Sequence, residues 1–181
     1  MRSSSCRVLI LVNARPHTLY NKLPLLLTCK RIYFECITRL YRDTSFDFSH
    51  GPRNVLTFAK HVPAAHVAQV TRINLNWELY WPINPRNPRR GRDGRVERLW
   101  VEVWDAFAAM EGPQWLRVEV ELARPYQAPE WKEIEGGLWQ GIRKVTRPSY
   151  FELVLPWPAA ASTDESTLPC TIIRPLPSVQ D

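Results

Sequence analysis

Leu116-Arg117-Val118-Glu119-Val120-Glu121-Leu122 alternates apolar and polar residues without a break. A period of two is that of a β-strand with Leu116, Val118, Val120 and Leu122 on one face. The same alternation occurs upstream in Ile73-x-Leu75-x-Trp77 and downstream in Phe151-x-Leu153-x-Leu155-x-Trp157. Between the first two lies a helical stripe of Val96, Trp100, Val103, Phe107 and Met110, which starts after Asp93-Gly94 and stops at Gly112-Pro113. Between the second and third, Trp131, Ile134, Leu138 and Ile142 keep helical spacing. Gly136-Gly137 weakens that second helix by about 1 kcal/mol per glycine relative to alanine. Strand, helix, strand, helix, strand predicts an α/β fold, a short parallel-stranded sheet with right-handed helical crossovers. The strands start 43 and 35 residues apart, so the repeat is irregular and leucine-rich-repeat-like. The Gly-rich turn of a doubly wound nucleotide-binding sheet is missing.

Working toward the N-terminus, Thr44 to Phe48 reads as a brief strand. Val55, Phe58, Ala59 and Val62 mark a short helix, and Ala64 to Gln69 a further turn. Ahead of these, residues 24–41 read as a long amphipathic helix, the element around which the chain is organised. Pro24 suits its first turn. Leu26, Cys29, Ile32, Tyr33, Cys36 and Leu40 form its predicted buried stripe, with Arg31, Glu35 and Arg39 on another face. Residues 1–22 are irregular with a short strand over 6–12, 23–158 form a single α/β domain, and 159–181 are a loop with an edge strand at Thr171-Ile172-Ile173.

The 181 residues suffice for one domain with a real core, and 45 % hydrophobic and 23 % charged residues place the chain among globular proteins. Net charge is +6, and residues 84–98 alone carry six arginines against Asp93 and Glu97. The four cysteines (Cys6, Cys29, Cys36, Cys170) form no CxxC pair, and the four histidines add no zinc spacing, so no metal and no cofactor are expected. Cys29 and Cys36 lie two helical turns apart, about 10.5 Å, too far for a disulfide. Val8 to Val12 is too short for a signal-peptide core, and no run approaches the ~20 apolar residues of a membrane span. These features predict a reducing compartment, cytoplasm or nucleus, and no membrane partner.

Leu25-Leu-Leu-Thr-Cys-Lys-Arg-Ile-Tyr-Phe-Glu-Cys-Ile37, followed by Leu40-Tyr41 and Thr44-x-Phe46, is similar to the signature of a fungal family catalogued as domain of unknown function 7730 and described as F-box-like. Ile73-x-Leu75-x-Trp77 and Phe151-Glu-Leu-Val-Leu-Pro-Trp-Pro158 extend the similarity over about 23–158. The 22 residues ahead of the first block do not read as the leucine- and proline-rich helical segment that members carry there. The resemblance implies an interaction domain, the substrate-recognition part of a ubiquitin-ligase adaptor, and supplies no catalytic residues.

No G-x-S-x-G elbow, Walker loop, HExxH or paired-acid arrangement is present, and Glu130, Glu133 and Glu135 read as a solvated helix face. A non-enzymatic protein-interaction domain with a protein partner is therefore expected. Trp77, Trp100, Trp104 and Trp115 take core positions by period. With parallel strands, the segments after Trp77, Leu122 and Leu155 leave the sheet at one edge. That edge would gather Tyr80, Trp81, Arg86, Arg89, Arg90, Arg92, Arg124, Tyr126 and Trp157, residue types common in binding hot spots. The alternative for the arginine-rich loop 84–95 is RNA or single-stranded nucleic-acid binding, which steep salt dependence would reveal.

Overall fold

The computed structural model describes residues 29–79, 95–122, 137–159 and 165–174. Five strands, β1 (Ser45–Asp47), β2 (Arg72–Leu79), β3 (Trp115–Leu122), β4 (Tyr150–Val154) and β5 (Thr171–Ile173), form one sheet in the order β1-β2-β3-β4-β5. Every neighbouring pair is parallel, so the α/β parallel sheet expected from the alternating stretches is present. The order never reverses, and the crevice that a reversal opens in nucleotide-binding sheets does not form. Helix α1 (Lys30–Asp43) precedes β1, and α2 (Pro52–His61), α3 (Ala64–Val67) and α4 (Arg95–Ala109), with a helix that includes 137–142 (α5), lie between the strands.

Backbone bonds at the strand starts fix the register. The Thr71 carbonyl accepts from the Gln114 and Trp115 amides at 2.9 and 3.0 Å, and the Gln114 carbonyl accepts from the Tyr150 amide at 3.0 Å. Arg147 closes the other end of the α4 crossover. Its Nη1 donates to the carbonyls of Ala108 and Met110, both at 3.2 Å, where the last turn of α4 has no helical partner to offer.

The core lies on one side of the sheet. Phe46, Ile73, Leu75, Trp77, Leu116, Val118, Val120, Phe151 and Leu153 alternate inward along the strands and are buried. Helical side chains meet them there. Trp100 packs on Trp77 with ring centroids 4.7 Å apart, Trp104 on Phe151 at 5.9 Å, Phe58 on Phe46 at 5.1 Å, and Tyr41 stacks on Phe46 at 5.6 Å. All these elements therefore cover the same face, as sequential order with right-handed crossovers requires. Trp100 Nε1 donates to the Leu138 carbonyl at 3.1 Å and ties α4 to α5.

The N-terminal helix departs from its expected role. Only Ile37 and Tyr41 of α1 are buried. Of the predicted core stripe, Cys29 is exposed, Tyr33 is 37 % exposed, and Ile32, Cys36 and Leu40 are half-buried. Leu26 lies outside the described residues. Phe34, beside the stripe, is 71 % exposed and meets Tyr33 edge-on. The helix touches the sheet through its last two turns, at the short edge strand β1, so its earlier turns have no core beneath them among the described residues. The centre of organisation is the β2–β3 pair, not α1.

Cys29 is the N-cap of α1, its Sγ accepting from the Ile32 amide at 3.5 Å. Cys170 is half-buried, and burial, with Glu165 adding to it, pushes its thiol up to about 12. Because the thiolate is the reactive form, a disulfide reagent at pH 8 is expected to modify Cys29 well before Cys170. Peptide mapping of the labelled native protein checks the order; simultaneous labelling would contradict it.

Candidate functional site

The opposite face of the sheet is polar. Residues between the inward positions point away from the core, and the parallel register lines them up in four rows. The row at the strand starts is Ser45, Arg72, Trp115 and Tyr150. Next come Asp47, Asn74, Arg117, Glu152 and Thr171, then Asn76, Glu119, Val154 and Ile173. At the carboxyl end Glu78 pairs directly with Glu121. Ser45, Arg72, Glu78, Glu121, Tyr150 and Ile173 are exposed, and most of the others are half-buried.

Contacts along this face order it. Arg117 reaches Glu152 through Nε and Glu119 through Nη2, each at 3.3 Å. Tyr150 donates its hydroxyl to Glu152, and this hydrogen bond is the main cause of the raised Tyr150 pKa. Glu152 is only 8 % exposed, so its two oxygens are held by Arg117 and Tyr150 in place of water. Asn76 Nδ2 donates to Glu121 Oε1 at 2.9 Å. Trp115 and Tyr150 stack in parallel planes, centroids 5.6 Å apart. Asp47 contributes a buried carboxylate oxygen with no hydrogen-bond partner.

Beyond the carboxyl end of β1, a cavity of about 470 Å³ opens between the sheet and the turn into α2. Ser49, His50, Arg53, Asn76, Glu78 and Glu121 supply its polar lining, with Trp77 and Leu99 behind them. Gly51 shapes the turn with φ 103°, a conformation that residues with a Cβ disfavour. Among the described residues no three His, Cys, Asp or Glu side chains converge to hold a metal ion, and no helix is long and apolar enough to cross a membrane.

Of the residues expected at the strand-end rim, Tyr80, Trp81, Arg86, Arg89, Arg90, Arg92, Arg124 and Tyr126 lie outside the described residues. The chain does leave β2 and β3 at one edge, since Leu79 and Leu122 are register partners. Trp157 is not a rim residue. It is 4 % exposed, because it continues the inward parity of Phe151, Leu153 and Leu155. Trp115 is corrected in the opposite sense: it is half-buried on the polar face and not in the core. The open face escapes a reading of the sequence alone, although its signal is there. Trp115 shares the odd parity of Arg117, Glu119 and Glu121, and Tyr150 that of Glu152.

No curated protein and no solved structure matches the chain. A family model matches residues 1–176, beyond both ends of the 23–158 over which the motifs carry the resemblance. The chain belongs to the family described as domain of unknown function (DUF7730).

Proposed function

We propose that this chain is a non-enzymatic protein-recognition domain that docks its partner on the open face of the sheet. The observation that carries the reading is the one-sidedness of the sheet. Among the described residues, helices gather on one face and leave ordered rows of polar side chains, with the partly exposed Trp115–Tyr150 stack, on the other. Hydrogen bonds and ion pairs, partly shielded around Glu152, hold these side chains in place, so less entropy is lost when a partner engages them. The family resemblance suggests the substrate-recognition role of a ubiquitin-ligase adaptor. The competing role, nucleic-acid binding through 84–95, rests on residues outside those described, and the carboxylates of the open face disfavour phosphate there.

The test removes the aromatic stack. Trp115→Ala with Tyr150→Ala is expected to weaken capture of the native partner about 30-fold, the effect of losing a hot spot worth about 2 kcal/mol. Val101→Ala, on the exposed surface of α4, should leave capture unchanged. Quantitative mass spectrometry of material retained from the native host checks both, with melting curves confirming that each variant is folded. Undiminished capture by the double variant overturns the reading.

A further inference from the structure

We infer that the amino-terminal end of α1 binds the surface of an anionic lipid bilayer. The inference is independent of the recognition reading, since α1 packs on the helix side of the sheet and the open face is on the other. It starts from charge. Residues 1–42 carry eight cations against Glu35 alone, a net +7, while the rest of the chain carries 16 cations against 17 carboxylates. The net +6 of the protein is therefore contained in its first 42 residues. Such an asymmetry selects for an anionic ligand. Arg2, Arg7, Arg15 and Lys22 lie outside the described residues, and Lys30, Arg31, Arg39 and Arg42 are exposed on α1. The arginine-rich residues 84–98 have the same sign, so they add to this attraction wherever they lie.

Exposed aromatics distinguish this end from a merely solvated basic helix. Phe34 stands one turn ahead of Ile37 and two ahead of Tyr41, the two buried residues of α1. It therefore continues their stripe beyond the core, where its ring is 71 % exposed. Lys30 and Arg31 lie one turn before Phe34, at the i−4 and i−3 positions, and flank it on the helix surface. Tyr33 meets it edge-on at 5.5 Å and is itself partly exposed. Arg31 also bridges Glu35 at 2.9 Å, but the two side chains are 88 % and 61 % exposed, so the bridge is open to competition. An apolar ring between cations is the pattern of a helix that lies at a membrane interface. The ring enters the boundary between headgroups and acyl chains. The flexible stems of Lys30 and Arg31 carry their charges back to the lipid phosphates.

The neighbouring sequence favours lipid over other anions. Residues 1–34 contain no carboxylate, yet they hold the aliphatic runs Val8-Leu9-Ile10-Leu11-Val12 and Leu25-Leu26-Leu27. A basic arm for nucleic acid works through charge and base stacking and has no use for such runs. A bilayer takes up both cations and aliphatic side chains. The expectation of no membrane partner rests on the absence of a span, which a surface contact does not require.

The full chain is floated with vesicles of phosphatidylcholine, alone or with about 30 % phosphatidylserine, in about 0.15 M salt. It is expected to float with the mixed vesicles only and to be largely released at about 1 M salt. Lys30→Gln with Arg31→Gln should weaken binding about 30-fold, and Phe34→Ala about tenfold. Lys60→Gln with Arg143→Gln, which removes the same charge from exposed sites on α2 and beyond α5, should change it less than twofold. Equal weakening by the two charge pairs reveals bulk attraction and overturns the inference. So does binding that Phe34→Ala leaves unchanged. Because Phe34 is exposed, its removal should not alter the melting temperature. A fall would show that the ring packs against this chain itself, and the inference fails. An oligonucleotide or a polyglutamate peptide bound through Phe34 in preference to the vesicles makes the ligand a nucleic acid or a protein. Self-association lost with Phe34→Ala makes it a second copy. Either result overturns the lipid.

Discussion

Gly112→Ala is expected to destabilise the protein by about 3 kcal/mol or more, the upper range for overpacking a filled site. Gly112 sits in the turn between α4 and β3, where the chain passes against the segment joining α3 to β2. A Cβ added there would overlap the Ala68 carbonyl oxygen and lie 2.6 Å from that of Val70. Backbone atoms cannot rotate aside as side chains do. Relief would require moving the residues that lead into β2, and with them the Thr71 carbonyl that sets the register of β3. Gly137→Ala supplies the contrast. Gly137 is in α5 with nothing within 4 Å of the added carbon, so the change should stabilise by up to about 1 kcal/mol. Urea unfolding midpoints of the two variants should move in opposite directions. A Gly112→Ala midpoint within error of the unsubstituted protein would show that the turn is not closely packed.

The second large effect belongs to Trp104. Its side chain is fully buried and meets Trp100, Phe107 and Phe151. It also lies under Gly141, so closely that a Cβ added to that glycine would come within 2.9 Å of it. Trp104→Ala should cost about 3–5 kcal/mol, because the cavity it leaves is bounded by other large rings that cannot collapse into it. Trp104→Phe should cost less than half as much. It keeps an aromatic ring in place and removes a buried indole N–H that has no hydrogen-bond partner. Denaturant melts rank the two; equal losses would mean that the Phe ring does not fill the space the indole leaves.

Parity explains both what is legible in the sequence and what is not. Leu116, Val118 and Val120 announce a strand and its inward face, and the helical stripes between such strands announce parallel pairing. These signals are local, and each strand pairs with its immediate successor, so local reading suffices for the fold. The short strands β1 and β5 are legible as strands, but nothing in three residues says which neighbour they join. The 24–41 stripe misleads for a different reason. A helical period tells which side of a helix is apolar but not what covers it, and α1 finds core contact chiefly through Ile37 and Tyr41. The open face is hidden because Trp115, which directly precedes the alternating stretch from Leu116, is placed in the core with Trp77, Trp100 and Trp104 although its parity opposes that of Leu116. Read by position, Trp115 and Tyr150 belong with the charged residues of their strands. The face emerges only in the register, when four rows of separate residues become neighbours.

The taper of the sheet bears on solubility. Its strands are 3, 8, 8, 5 and 3 residues long from β1 to β5, so the longest backbone ladders are enclosed by neighbours. Unpaired N–H and C=O groups on an outer strand are what recruits a foreign strand and seeds aggregation. Among the described residues, each outer strand offers only three residues of such template. Ser45 and Asp47 place polar groups along one margin, and Thr171 opens the other. Short margins of this kind hold back the route by which copies of the chain would assemble strand to strand.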